Sequence, residues 1–272
     1  MSVAGLCRTA GMSRQNYYQE RRRRQGRQVD EELIVALVCR ERAVQPRLGG
    51  RKLLHLVREE LSEAGVEIGR DRFFEVLGDH ELLIERAIRS ARTTDSRHTF
   101  RVYQNLLAGL ELTGPHQAWV SDITYLRTEE GFLYLSLVMD AFSRAVVGFD
   151  CSDSLEREGA LRALGQALGQ LSGDGPAIHH SDRGSQYCCR EYVECLAGRG
   201  VRLSMTETNH CYENARAERL NGILKQEYGL GGTFRTKAEA IRAVREAIEL
   251  YNWRRPHQSL GYAIPMAVHR VA

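Results

Sequence analysis

The chain has 272 residues, 43% of them hydrophobic and 27% charged, with a formal net charge of +3. That length allows one large domain plus one or two small ones, and the composition is that of an ordinary soluble globular protein. No apolar run approaches the roughly 18 residues of a membrane span, and the first residues lack the apolar core of a signal peptide, which points to a cytoplasmic protein.

The seven cysteines form no CxxC pair. Free thiols in a reducing compartment are therefore expected, and a structural zinc is not. Residues 1–102 carry 20 Lys/Arg against 15 Asp/Glu, whereas residues 103–272 carry 18 against 20. A basic front and an acid-bearing back suit polyanion binding upstream of metal-dependent chemistry. Solvated charged helices fit the same totals.

Residues 2–24 read as two short helices broken at Gly11-Met12. Val3, Leu6 and Ala10 have helical spacing and Ser13 is placed to cap the second helix. Tyr17, Tyr18 and the run Arg21–Arg24 follow. Residues 1–28 are thus compatible with a truncated helix-turn-helix. Residues 29–85 predict three further helices. The first spans 30–43 with Leu33, Ile34, Leu37 and Val38 on one face; the second follows Gly49-Gly50; the third begins near Arg70 and carries Arg72. Two helices, a glycine-bearing turn and a basic third helix suggest a second DNA-binding helix-turn-helix module, with a plain three-helix bundle as the alternative. Residues 86–112 begin polar and basic and are read as a linker.

From residue 113 the texture changes. Residues 117–127 (QAWVSDITYLR) are rich in β-branched and aromatic side chains, with Asp122 in the middle. Residues 132–142 and 145–151 read as two more strands, joined by short turns into an antiparallel meander. An alanine- and leucine-rich helix over 155–171 leads to a strand that ends at Asp182. A helix to about residue 199 and a short strand over 201–205 follow. This order predicts an α/β sheet of mixed direction. A carboxylate held within a half-buried strand needs a cation, a donor or a metal. Asp182, at a strand end before Arg183-Gly184-Ser185, lies where open α/β sheets place their sites. A helix over 214–228 then puts Asn214, Glu218, Asn221 and Lys225 on one face.

Asp122, Asp182 and Glu218 are separated by 59 and 35 residues. The segments around them, WVSDITY at 119–125, FLYLSLVMDAFSR at 132–144, HSDRGSQY at 180–187 and NARAERLNGILK at 214–225, together with YNWRRPHQSLGY at 251–262, resemble insertion-sequence transposases with a retroviral-integrase-like core. The match is to the downstream-frame (OrfB) subunit of two-frame elements and covers nearly the whole chain.

The resemblance implies an RNase H-like fold over residues 113–272 with a helical tail. It implies that Asp122, Asp182 and Glu218 hold two Mg²⁺ ions, with Mn²⁺ as a substitute. Such ions, about 3.5–4 Å apart, would clamp the attacking and leaving oxygens during 3′-end nicking and strand transfer. DNA contacts are assigned on the same basis to Arg183, Gln186, Asn214, Asn221 and Lys225. Arg255 and His257 are left open between DNA contact and capping the last helix, and His179 and His180 are expected to be strand-end structure. The partners implied are terminal repeats, target DNA, an upstream-frame helix-turn-helix and leucine-zipper protein, and further copies of this chain on DNA. A repressor without catalysis and a nuclease that cuts without joining are the rival readings.

Overall fold

The computed structural model describes residues 3–84, 101–171, 176–206 and 214–270, and divides into two compact units, Met1–Glu85 and Arg86–Ala272. Most of the expected linker lies outside the described residues.

The first unit is all-helical: α1 (Val3–Thr9), α2 (Arg14–Val44), α3 (Gly50–Glu63) and α4 (Arg70–Asp79). The break near Gly11 is present, and Ser13 caps α2, its Oγ accepting the Asn16 N–H at 3.1 Å. The structure differs after that. The two helices expected on either side of residue 28 are one helix of 31 residues. The basic stretch between them holds no proline, and its Arg and Gln residues are good helix formers. A single glycine, Gly26, weakens a helix by about 1 kcal/mol without ending it. Ile34, Leu37 and Val38 of α2 pack with Leu53, Val57 and Leu61 of α3 and Phe73, Val76 and Leu77 of α4.

The second unit is built on a six-stranded mixed sheet. Its strands are β1 (Ala118–Thr128), β2 (Gly131–Asp140), β3 (Val146–Ser152), β4 (Ile178–Ser181), β5 (Arg202–Met205) and β6 (Thr233–Phe234). The order is β3-β2-β1-β4-β5, with β6 pairing the far end of β1. The β1–β2–β3 meander is antiparallel as the short turns predict, whereas β4, β5 and β6 join in parallel. Two residues are too short for an alternation pattern, so β6 had no signal to read.

Helices cover both faces, as parallel strands require. On one side α8 (Ala215–Glu227) and α9 (Lys237–Trp253) bury Ala118, Val120, Leu126, Leu135 and Leu137. On the other, α5 (Arg157–Leu168) and α7 (Arg190–Ala197) bury Trp119, Val138 and Val147. A Cβ on Gly148 of β3 would stand 2.2 Å from the Ala163 carbonyl oxygen, so only glycine lets α5 lie this close. The single helix expected before β5 is two, α6 (Ser185–Cys188) and α7, because Cys189 adopts an extended conformation between them. A terminal helix, α10 (Pro265–Arg270), follows a 3₁₀ turn at Gln258–Leu260.

Candidate active site

Parallel pairing sets Ala118 against Ile178, Trp119 against His179 and Val120 against His180. Carried two residues further along each chain, the same register puts Asp122 beside Asp182. Side chains two apart on a strand share a face. Ala118 and Val120 point into the core beneath α8 and α9, so Asp122 faces α8 as well.

Asp182 immediately follows β4, and its Oδ1 accepts the Gly184 N–H at 2.9 Å. A Cβ on Gly184 would lie 3.1 Å from that oxygen and 2.7 Å from the Gln186 Oε1, so a larger residue there would displace the ends of these two side chains.

Glu218 stands in the first turn of α8 and is exposed. The helix is seated by Ala217, Leu220, Ile223 and Leu224, all buried. Two asparagines lock it to β1. Asn214, buried at the start of the helix, donates to the Ser121 carbonyl at 3.2 Å. Asn221, one turn beyond Glu218, donates to Asp122 Oδ2 at 2.7 Å.

The electrostatics follow from this convergence. Burial pushes the Asp122 carboxyl up to about 8, and the charges of Asp182 and Glu218 push in the same direction. Hydrogen bonds from the Ile123 N–H, at 3.0 Å, and from Asn221 oppose the rise. A carboxylate this unfavourable among two others is relieved by a cation. The donors are oxygens alone, the set that suits a hard divalent ion such as Mg²⁺. Buried Asn221 Oδ1 adds a further oxygen without a hydrogen-bond partner among the described residues. Also among the described residues, no three His, Cys, Asp or Glu side chains stand as a closed metal cage. The three carboxylates are within electrostatic reach of one another but are not drawn onto one point.

The remaining expected contacts fall at different distances from this centre. Lys225 lies two turns beyond Glu218, its Nζ 4.7 Å from the centre of the Tyr125 ring. Burial lowers its pKa, while the Asp122 charge raises it. Arg183 Nε donates to the Thr206 carbonyl at 2.7 Å, and the Gln186 amide to the Leu155 carbonyl at 2.7 Å. Arg255 is engaged by another carboxylate, Glu227. It is only 2% exposed and donates from Nε and Nη2 to Glu227 at 2.8 and 2.9 Å. Its guanidinium is thus taken up by the end of α8 rather than presented to solvent. His257 is half-buried and lies 3.0 Å, through Nδ1, from Ser259 Oγ.

His179 and His180 are both buried. The hydroxyls of Ser121 and Tyr192 lie 2.8 and 3.0 Å from His179 Nε2, and His180 Nδ1 lies 2.8 Å from Ser204 Oγ. Burial pushes the His179 imidazole down to about 3, and the neighbouring His180 acts in the same sense. These rings stitch β1, β4, β5 and α7 together just behind the two aspartates.

The integrase core domain family matches residues 113–211, and a second integrase core family matches residues 199–265. An uncharacterized 31 kDa protein of insertion element IS600 from Shigella sonnei is 34% identical over 266 residues, covering 96% of each chain. Transposase InsF for insertion sequence IS3A from Escherichia coli K12 is 33% identical over 264 residues, covering 93% of this chain and 89% of InsF. The chain belongs to the IS3-type insertion-sequence transposases. It is therefore a DDE transposase, an enzyme of the polynucleotidyl transferase type that serves DNA transposition. The fold has a counterpart in the simian T-cell lymphotropic virus intasome solved with PP2A regulatory subunit B56 gamma. There the match has a TM-score of 0.50 at 17% identity, over 80% of this chain and 73% of that one. The transposase thus shares the RNase H-like fold of retroviral integrase cores.

Two contacts of this transposase have no signal in the sequence. The Asn221 amide holds Asp122. The Arg255 guanidinium pairs with Glu227. An acidic residue at the end of one helix and an arginine beyond the next helix leave no periodic trace of their meeting.

Proposed function

We propose that Asp122, Asp182 and Glu218 form the metal-binding catalytic centre of this transposase, and that it nicks element ends at the 3′ side and joins them to a target phosphodiester. What carries the reading is the parallel register of β1 and β4 together with the Asn221–Asp122 hydrogen bond, which bring three carboxylates far apart in sequence to one edge of the sheet. Bound there, a pair of Mg²⁺ ions supplies Lewis-acid stabilisation to the attacking and leaving oxygens of an in-line displacement at phosphorus.

The residues of the chain do the rest. Asp122, Asp182 and Glu218 supply negative oxygens from two strands and one helix, so the fold sets their mutual positions. Asn221 holds the Asp122 carboxylate in one orientation and favours its ionised form. Lys225, on the same face of α8, offers a positive charge to the DNA backbone beside the reacting phosphate. Arg183 and Gln186, just past Asp182, and Asn214 at the helix start line the same edge. The helical N-terminal unit binds DNA through basic helices, and the complete reaction uses two or more copies and an upstream-frame partner, in the cytoplasm where the DNA lies.

The test is a labelled duplex of the element's terminal repeat incubated with the full chain and its upstream-frame protein, in Mg²⁺ or in EDTA, beside Glu218→Gln. Mg²⁺-dependent 3′ nicks and joined strands from wild type, with binding but neither product from Glu218→Gln, support the proposal. Cutting that persists in Glu218→Gln, or in EDTA, overturns it.

A further inference from the structure

One surface near this edge is not used by the carboxylates. The β1–β2 hairpin pairs Tyr125 with Tyr134 and Arg127 with Phe132. Cross-strand partners project from the same face, so three aromatic rings and a guanidinium share one side of the ribbon. Phe132 is 53% exposed, and Arg127 is exposed beside it. Tyr125 and Tyr134 are half-buried beneath them. The Tyr125 and Phe132 rings meet edge to face at 5.3 Å, and Lys225 sits over Tyr125. Of the two carboxylates in the intervening turn, Glu130 is engaged in accepting the Lys237 N–H at the start of α9, at 2.8 Å.

The hairpin is well made for staying in place. Thr128 Oγ1 donates to the Gly131 carbonyl at 2.7 Å across the turn, and β6 braces β1 at Arg127 and Thr128. A stiff ribbon with an apolar tip and a flanking arginine is the form in which β-structures wedge open a base step. Aromatic rings beside cations are also the platform on which unpaired bases stack. At about 3.3 Å per residue, Tyr125 lies roughly 10 Å along β1 from Asp122 and, three positions on, projects from the opposite face of the sheet. That separation is about three stacked nucleotides at 3.4 Å each. Lys225 of α8 links the two residues, lying over the Tyr125 ring and within reach of the Asp122 charge.

We infer that Phe132, with Tyr125, Tyr134 and Arg127, forms a stacking wedge that opens the DNA receiving the element end, on the opposite face of β1 from Asp122 and a few nucleotides from the phosphodiester under attack. The inference rests on the proposed strand-transfer function. The receiving DNA is favoured over the element's own end because stacking tolerates any sequence, as a variable target demands and a fixed terminal repeat does not. Arg127 and Lys225 supply the positive charge that a strand passing the platform needs. A target already unpaired at the joining point needs no wedge.

The test compares joining of a pre-nicked terminal repeat into an intact duplex and into the same duplex carrying a two-base mismatch at the joining point. It uses the full chain, Phe132→Ala and Phe132→Trp, with the upstream-frame protein present. Phe132→Ala is expected to lower joining into intact duplex about tenfold relative to mismatched duplex, the scale of one lost base–aromatic contact, and Phe132→Trp to keep the wild-type ratio. Equal ratios in wild type and Phe132→Ala overturn the inference. So does a Phe132→Ala defect that mismatches do not relieve but that accompanies altered sedimentation of the protein, since that marks a protein contact. Wild type that joins neither target overturns the proposed function instead.

Discussion

The side-chain amide of Asn221 and the carboxylate of Asp122, 99 residues apart in the chain, meet at 2.7 Å and tie α8 to β1 at the candidate metal site. Replacing Asn221 by alanine removes the donor and leaves Asp122 freer to protonate and to turn away. A hydrogen bond to a charged group is worth about 1.5–3 kcal/mol. Asn221→Ala is therefore expected to raise the Mg²⁺ concentration for half-maximal nicking by about 10- to 100-fold, and to lower the thermal melt of the metal-free protein by several degrees. A metal titration of initial rates checks this, and an unchanged half-saturation would count against the assigned role.

Asp122 itself predicts an inverse relation between charge and stability. Its folded pKa is raised to about 8, above the ordinary 3.8, chiefly by burial. A raised carboxyl contributes stability that is complete below the ordinary value and is lost as pH rises through 8. In EDTA, wild type should lose stability between about pH 4 and 8, and Asp122→Asn should lose less and melt higher at pH 8. Mg²⁺ should stabilise wild type and leave Asp122→Asn nearly unmoved. Parallel denaturation curves for the two proteins across this range would refute the assignment.

His179 works in the opposite sense. Its folded pKa is lowered to about 3 from 6.5, chiefly by burial, so between those values the unfolded chain takes up the proton and the folded one does not. Its contribution is complete above 6.5 and fades as pH falls toward 3, with a slope of about 1.4 kcal/mol per pH unit. His179→Gln should flatten this acid limb while costing about 1–3 kcal/mol at neutral pH through the hydroxyls of Ser121 and Tyr192. Urea unfolding at pH 5 and 7.5 separates the two effects.

Arg255 and Glu227 form an ion pair whose arginine is almost fully enclosed. Removing one partner of such a pair leaves the other charge buried and costs about 3–5 kcal/mol, whereas replacing both by apolar residues of similar volume is often near neutral. Arg255→Met is expected to unfold several degrees earlier than wild type, and Arg255→Met with Glu227→Leu to recover most of the loss. Calorimetry of the three proteins decides it. Recovery absent in the double variant would place the function of Arg255 elsewhere.

The parts of this fold that were legible in the sequence are those with local signals. The β1–β2–β3 meander is visible because β-branched, aromatic and apolar runs and the short turns between them are local signals, and Ser13 is visible as a cap because capping acts over three positions. The candidate carboxylates are singled out by the motifs around them, since Asp122, Asp182 and Glu218 sit in segments with a family likeness. What could not be read depends on long-range packing. The length of α2 was missed because a polar, basic stretch looks like a connector when the helices on either side are read separately. The partners of Asn221 and Arg255 were missed because a hydrogen bond across 99 residues or an ion pair across 28 leaves nothing periodic to detect.

The parallel pairing of β1 with β4 also orders events in time. The meander closes through hairpins and can form early, whereas matching Val120 to His180 requires a chain closure of sixty residues that include β2, β3 and α5. Long closures of this kind are slow because chain entropy is lost before contacts repay it. The edge that carries Asp122 and Asp182 is thus expected to be among the last structures to appear. A chain caught on the way has three paired strands and lacks the edge that carries Asp122 and Asp182, so under the proposed function it is expected neither to nick nor to join DNA. Pulse-labelled hydrogen exchange reads this directly, as protection in β2 that precedes protection in β4.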